Sequence, residues 1–255
     1  MSCRTDKRGL HYIPIAACLL IISACVISYS ISATYGHSSL LFPYISDTAA
    51  LKPERCFFGQ LMNMAAALSG FCMYCWHKQA VQRLALTNRQ RGLNFCRAAL
   101  WFGLGSSFGG SVVANFQETG VWTVHMLGAV SLFVFGIVYV SIVTHVSRCY
   151  FTQVSNLWQF RAVLAVISTI SGLLLPTTGT VARYRYDGMN IRIWTPENQG
   201  YGFHVVSSLS EWILTASLLM FYVTMTFELK DYTIVAVKVQ HRWSRTQDDC
   251  EVVLS

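Results

Sequence analysis

Glu211 is the residue on which chemistry can turn, because it alone of twelve acids is expected inside a long apolar stretch, His204 to Phe227. A carboxylate at the centre of a bilayer costs about 3 kcal/mol on insertion scales, so such a group is normally kept for a partner, a ligand or a proton. His204, Ser207, Ser208, Glu211 and Thr215 recur at helical spacing and share one face. Asp47, Asn63, Asn115, Gln117 and His125 fall at the same end of neighbouring stretches and are candidates to meet that face. The set reads as a pocket for a lipid head group or small solute, or as a switch in which His204 or His125 gains a proton as its compartment acidifies. The competing reading is an interhelical clamp worth roughly 1 kcal/mol per contact, which specifies packing and nothing else.

Soluble enzymology has no footing here. The sequence lacks a Gly-rich phosphate loop, GxSxG, HExxH and any repeat period. No catalytic residue and no cofactor is assigned. Cys72 and Cys75 form a CxxC without a second pair, so no metal site is expected. Palmitoylation at Cys72, Cys75, Cys96 or Cys149 suits cysteines near an interface, with buried filler as the alternative.

The elements that must position these residues follow from composition. The chain is 53% hydrophobic and 12% charged, whereas soluble domains carry about a quarter charged residues. Crossing roughly 30 Å of hydrocarbon takes about twenty apolar residues as a helix. Six such runs occur, at about 13–33, 56–76, 95–115, 121–145, 162–182 and 204–227. The expected fold is therefore all-α, a bundle of six transmembrane helices over 13–227, with an N-terminal segment 1–12 and a tail 228–255. A cleaved signal peptide is the rival reading of the first run, which is longer than a typical signal core.

Orientation follows from the basic residues. Fourteen of the nineteen Lys and Arg residues flank one side of these runs; Lys52, Arg55, Arg183, Arg185 and Arg192 flank the other. The positive-inside rule makes the first side cytoplasmic, so both termini face the cytosol and loops 34–55, 116–120 and 183–203 face the lumen. The net charge of +7 is then topology, and no nucleic-acid partner is implied. Of nine cysteines only Cys56 approaches the lumen, so no lumenal disulfide is expected.

In the third run Gly105 and Gly109 make a GxxxG face among further glycines and serines, which suits close helix packing. Pro176 should kink or end the fifth helix. In the tail, Tyr232-Thr233-Ile234-Val235 fits the YxxΦ pattern read by sorting adaptors, with Tyr232 and Val235 as its anchors. No Asn-x-Ser/Thr sequon occurs.

Three clusters on the lumenal side carry a resemblance. Pro43-Tyr44-Ile45-Ser46-Asp47-Thr48 with Pro53-Glu54 and Phe58-Gly59 resembles the first lumenal loop of the Frag/DRAM/Sfk family. Val113 to Glu118 before His125 is similar to the end of its third helix, and Trp194, Pro196-Glu197, Gly200-Tyr201, His204 to Ser207 and Glu211-Trp212 to its last loop and sixth helix. The match runs through all six helices in order and is strongest to the DRAM branch. Ala49 departs from it, standing where the family usually has Gly, so a different turn is expected there. The resemblance implies a non-enzymatic multi-pass protein of lysosomal or late endosomal membranes that modulates autophagy and, in some members, cell death. Its implied partners are membrane lipids, sorting adaptors and other lysosomal membrane proteins. Related branches imply alternatives: a plasma-membrane scaffold for a phosphoinositide kinase, or a Golgi factor of lipid remodelling. A small transporter using Glu211 and the histidines as a proton relay is the reading from physics alone.

Overall fold

The computed structural model describes residues 9–151 and 157–233. Among the described residues there are seven helices and no strand: α1 Tyr12–Tyr35, α2 Ile45–Thr48, α3 Glu54–Leu86, α4 Arg91–Asn115, α5 Trp122–Tyr150, α6 Leu157–Arg185 and α7 Tyr201–Leu229. All but α2 are long. They extend past the apolar runs because the flanks, such as His77 to Arg83 on α3, are also good helix formers. Hydropathy finds the greasy part of a helix; its ends are set by turns such as Gly36, in the left-handed region at φ 67°.

Five helices, α1, α3, α5, α6 and α7, are long and apolar enough to cross a membrane. The expected third span, α4, falls short on apolarity. It carries Arg91 and Arg97 in its first two turns and the Gly103 to Ser111 stretch beyond them. What that stretch provides is proximity. A methyl group added at Gly109 would run into the backbone nitrogen of Leu132 and come 2.7 Å from the Gly128 carbonyl on α5. Gly128 in turn is crowded by Val112, so the α4–α5 contact is backbone against backbone.

The helices pack as neighbours in the pairs α1–α3, α3–α4, α4–α5, α5–α6 and α6–α7, and α7 returns to touch α1. Leu10 donates its backbone N–H to the Tyr232 carbonyl at 2.9 Å, so the described chain begins and ends at the same end of the bundle. That terminal end holds a cluster built on Trp76, Leu84, Tyr139, Val143, Phe221 and Met225. The opposite, loop end holds a smaller cluster of Ala24, Cys25, Ile45, Phe58, Met62 and Ala114.

Several expectations are corrected. Residues 34–55 are not a simple loop, since they contain α2 and the start of α3. Of the two outcomes expected at Pro176, a kink or a helix end, the end is excluded, because α6 runs on to Arg185. The hydroxyls of Thr177, Thr178 and Thr180 bond carbonyls one turn back and add hydrogen bonds around the proline turn. Ala49 lies at φ −114°, a conformation open to any L-residue, which leaves the expectation of a different turn standing. Cys72, Cys75 and Cys96 are buried in the core and are out of reach of an acyl transferase; Cys149 is exposed.

Candidate functional site

The polar face of α7 is turned inward over its first three turns. His204, Ser207 and Ser208 are fully buried and Glu211 is 8% exposed. What meets them is the chain between α1 and α3, not the asparagines of other helices. Phe42 sits at φ 55°, a left-handed conformation costly for a bulky residue, and turns Pro43 toward α7. The Pro43 carbonyl accepts from Ser208 Oγ and from Trp212 Nε1, each at 2.9 Å. Glu211 Oε2 accepts the Ile45 backbone N–H at 2.8 Å, and so caps the first residue of α2 with a carboxylate. Tyr44 reaches Ser207, whose Oγ donates to Leu175 O at 2.7 Å on α6. A side chain at Gly179 would come 2.8 Å from Ser207 Oγ, so that glycine makes room for the contact.

α2 carries the rest of the motif. Thr48 Oγ1 lies 3.1 Å from Ser28 Oγ on α1, and Ser46 Oγ donates to Glu118 at 3.3 Å. Glu118 also accepts from Arg183 at 3.2 Å. Asp47 is buried, and burial first, then the Glu118 and Glu211 carboxylates, push its carboxyl well above the usual carboxylate range. Arg192 and a hydrogen bond from the Tyr44 backbone act in the opposite direction. Pro53 follows a cis peptide bond from Lys52, and Glu54 opens α3 fully buried, 2.6 Å from His37 Nδ1.

The two long loops are knitted to each other by Ser39. Its N–H donates to Arg192 O at 3.0 Å, and its Oγ accepts the Trp194 N–H at 2.7 Å. Trp194 then stacks on the His204 ring, with centroids 4.3 Å apart and planes within 5°, while Tyr44 meets the same ring edge-on at 5.0 Å. Both ring nitrogens of His204 are buried without an aligned partner; the Phe42 backbone approaches the ring without hydrogen-bond alignment. Glu54 Oε2 and one Arg192 nitrogen are likewise buried and unpartnered.

Four expected members stand apart from this cluster, among them Gln117, whose Nε2 donates to the Ala114 carbonyl at 3.5 Å. Asn63 and Asn115 bond each other at 2.9 and 3.1 Å, with Ser111 Oγ donating to Asn63 at 2.7 Å, in a separate α3–α4 clamp. His125 bonds the Phe116 carbonyl of its own connecting loop at 2.7 Å. A shared end of the bundle was read as a shared site, but the α3–α4 and α4–α5 seams each close on their own polar groups. Tyr232 is held by Arg83 Nε at 3.1 Å, with the guanidinium over its ring; Val235 lies outside the described residues.

The sequence reading missed a second polar centre, at the terminal end. Arg161, fully buried, bonds Glu228 in two-pronged fashion at 2.8 and 3.1 Å. It also donates to Ser147 at 2.7 Å and Thr224 at 2.8 Å, while Trp76 Nε1 donates to Glu228 at 2.9 Å. By sequence Arg161 precedes the run 162–182 and Glu228 follows the run 204–227. The signal available was their placement within a turn or two of an apolar run, which does not reveal that they meet. No group of three or more His, Cys, Asp or Glu suited to a metal ion occurs among the described residues.

Comparison with known proteins identifies relatives over most of the chain. Residues 9–232 match the family described as the Frag1/DRAM/Sfk1/Cwh43P N-terminal domain. The chain is 30% identical over 239 residues to DNA damage-regulated autophagy modulator protein 2 of Bos taurus, covering 92% of this chain and 88% of that protein. It is 30% identical over 230 residues to DNA damage-regulated autophagy modulator protein 1 of Homo sapiens, covering 89% and 94%. The human modulator of macroautophagy TMEM150B is 35% identical over 133 residues, covering 51% and 54%. No solved structure matches.

Proposed function

Because the chain belongs to the Frag1/DRAM/Sfk1/Cwh43P family, we propose that this multi-pass membrane protein modulates autophagy from a lysosomal or late endosomal membrane as a non-enzymatic regulator. The observation that carries the reading is the near full-length similarity to two proteins named autophagy modulators. Those relatives are named for modulation, not for a catalysed reaction.

Six crossings are proposed, with both termini cytosolic. Support comes from the Leu10–Tyr232 hydrogen bond, which puts the two ends of the described chain on one side. An even number of crossings is needed for that. The five apolar helices alone would leave the ends on opposite sides, so α4, packed between α3 and α5, is proposed as the sixth. The basic residues then assign the terminal end to the cytosol.

In this arrangement the Glu211-capped α2 and the His204 aromatic stack face the lumen, and the lumenal loops are the surface through which the regulator reads its compartment. Tyr232 would serve as a sorting anchor only after leaving Arg83. The test uses the full chain, tagged and expressed in cells lacking it. Wild type should colocalise with lysosomal markers and raise autophagic flux. Glu211→Gln keeps an acceptor for the Ile45 N–H but removes the charge, so it should reach the same membrane at normal abundance and fail to raise flux. Wild-type location at the Golgi or plasma membrane would overturn the reading, and normal flux in the variant would reduce the Glu211 contact to a clamp.

A further inference from the structure

Between the two hydrophobic clusters, on the axis of the bundle, lies a cavity of about 90 Å³ walled by α1, α3, α4, α5 and α7. Its lining is almost wholly apolar. On the outer side of α3 and α4 runs a separate groove, walled by Phe71, Tyr74, Leu104 and Phe108, with Gly70 between them. Ala66 and Ser107 border both spaces, so only small side chains separate the groove from the cavity. The aromatic walls face outward, Phe108 being 70% exposed.

The groove ends, toward the loop end, at Asn63 and Ser111. Asn115 Nδ2 spends its hydrogens on Asn63 Oδ1 at 2.9 Å and Ser111 O at 2.7 Å. Asn63 Nδ2 makes one bond, to Asn115 Oδ1 at 3.1 Å. An amide nitrogen has two hydrogens, so Asn63 retains one to donate. In hydrocarbon an unmet donor is expensive, and the acceptor a bilayer supplies at the head of its chains is an ester carbonyl.

We propose that α3 and α4 form a binding groove for one acyl chain of a bilayer phospholipid. The ester carbonyl accepts from Asn63, the chain lies over Gly70 between Phe71, Tyr74 and Phe108, and the cavity behind Ala66 and Ser107 receives a bend or the chain end. The inference rests on the six-crossing reading, which seats α4 in the bilayer. It makes lipid a specific ligand of this chain rather than only its solvent.

The full-length protein, reconstituted in phosphatidylcholine vesicles doped with a phosphatidylcholine bearing a mid-chain diazirine, is irradiated and the labelled peptides are mapped by mass spectrometry. Label should concentrate on the groove around Ala66, Gly70 and Ser107 over the outer face of α6 at Val163, Val166 and Ile170. A methyl at Gly70 would have ordinary clearance, 3.5 Å from Leu104, so Gly70→Leu fills the groove and should lower groove label to the level of the outer face of α6. Phe108→Ala, at an exposed position, removes a wall without touching the core and should also lower groove label. Equal labelling of α4 and α6, or groove label unchanged in both variants, overturns the groove. Label on α6 with none on α4 places α4 outside the bilayer and removes the six-crossing reading, and the inference with it.

Discussion

The two polar centres of this bundle are built on opposite terms. At the terminal end, Arg161 and Glu228 bring together α3, α5, α6 and α7, and the guanidinium and carboxylate engage Trp76, Ser147 and Thr224. At the loop end, Glu211, Ser208 and Trp212 hold a short helix and a strained turn, while His204, Glu54 Oε2 and an Arg192 nitrogen are buried unpartnered. A satisfied network between rigid helices fastens, whereas a buried polar group without a partner carries a cost of about 1–3 kcal/mol. The difference is one of construction: the terminal-end centre joins four helices through an ion pair, and the loop-end contacts join α7 to the chain between α1 and α3.

The comparison breaks most visibly if the fastening is removed. Arg161→Met strands the Glu228 carboxylate in the core, and losing one partner of a buried pair costs roughly 3–5 kcal/mol. The expected result is a collapse in detergent-extracted monodisperse protein on size-exclusion chromatography. The double variant Arg161→Met, Glu228→Leu, which strands no charge, should recover much of it. Full abundance of the single variant would show that the centre does not fasten the helices.

A smaller, pH-dependent effect is expected at the loop end. The Asp47 carboxyl titrates well above its ordinary range because burial and then Glu118 and Glu211 oppose its ionisation, with Arg192 and the Tyr44 backbone partly compensating. A raised value in the fold means that the protonated form is favoured. Its contribution is therefore complete in acid below the ordinary carboxylate value and is lost as pH rises through the raised one. Corrected for the base-catalysed intrinsic rate, the protection of residues 36–53 against hydrogen exchange should be greater at about pH 5 than at about pH 8, and Asp47→Asn should abolish that difference in protection by holding the neutral form at both. Equal protection in the wild type would remove Asp47 as a source of response.

The smallest effect expected is a gain. His204→Phe keeps the stack on Trp194 and removes two unpartnered nitrogens, which should raise the thermal midpoint by an increment corresponding to about 1 kcal/mol. A fall instead would mean that the imidazole nitrogens are satisfied by water and that the two centres are more alike than their direct contacts suggest.

Much of this protein was legible from residue order. Apolar runs give helices because a chain in lipid must satisfy its own backbone, and the inward face of α7 followed from 3.6-residue spacing alone. The family clusters around Pro43 and His204 contain the residues that the fold brings together at Glu211. Tertiary structure decided the pairings. Asp47, Glu118 and Arg192 converge from three loops, Arg161 meets Glu228 across 67 positions, and Ile45 meets Glu211 across 166. Asn63, Asn115 and His125, drawn toward Glu211 by a shared depth, close instead on Ser111, on each other and on Phe116. Local periodicity fixes which way a side chain points around its own axis; which neighbour stands there depends on how the helices are arranged about one another, and no window of sequence contains that.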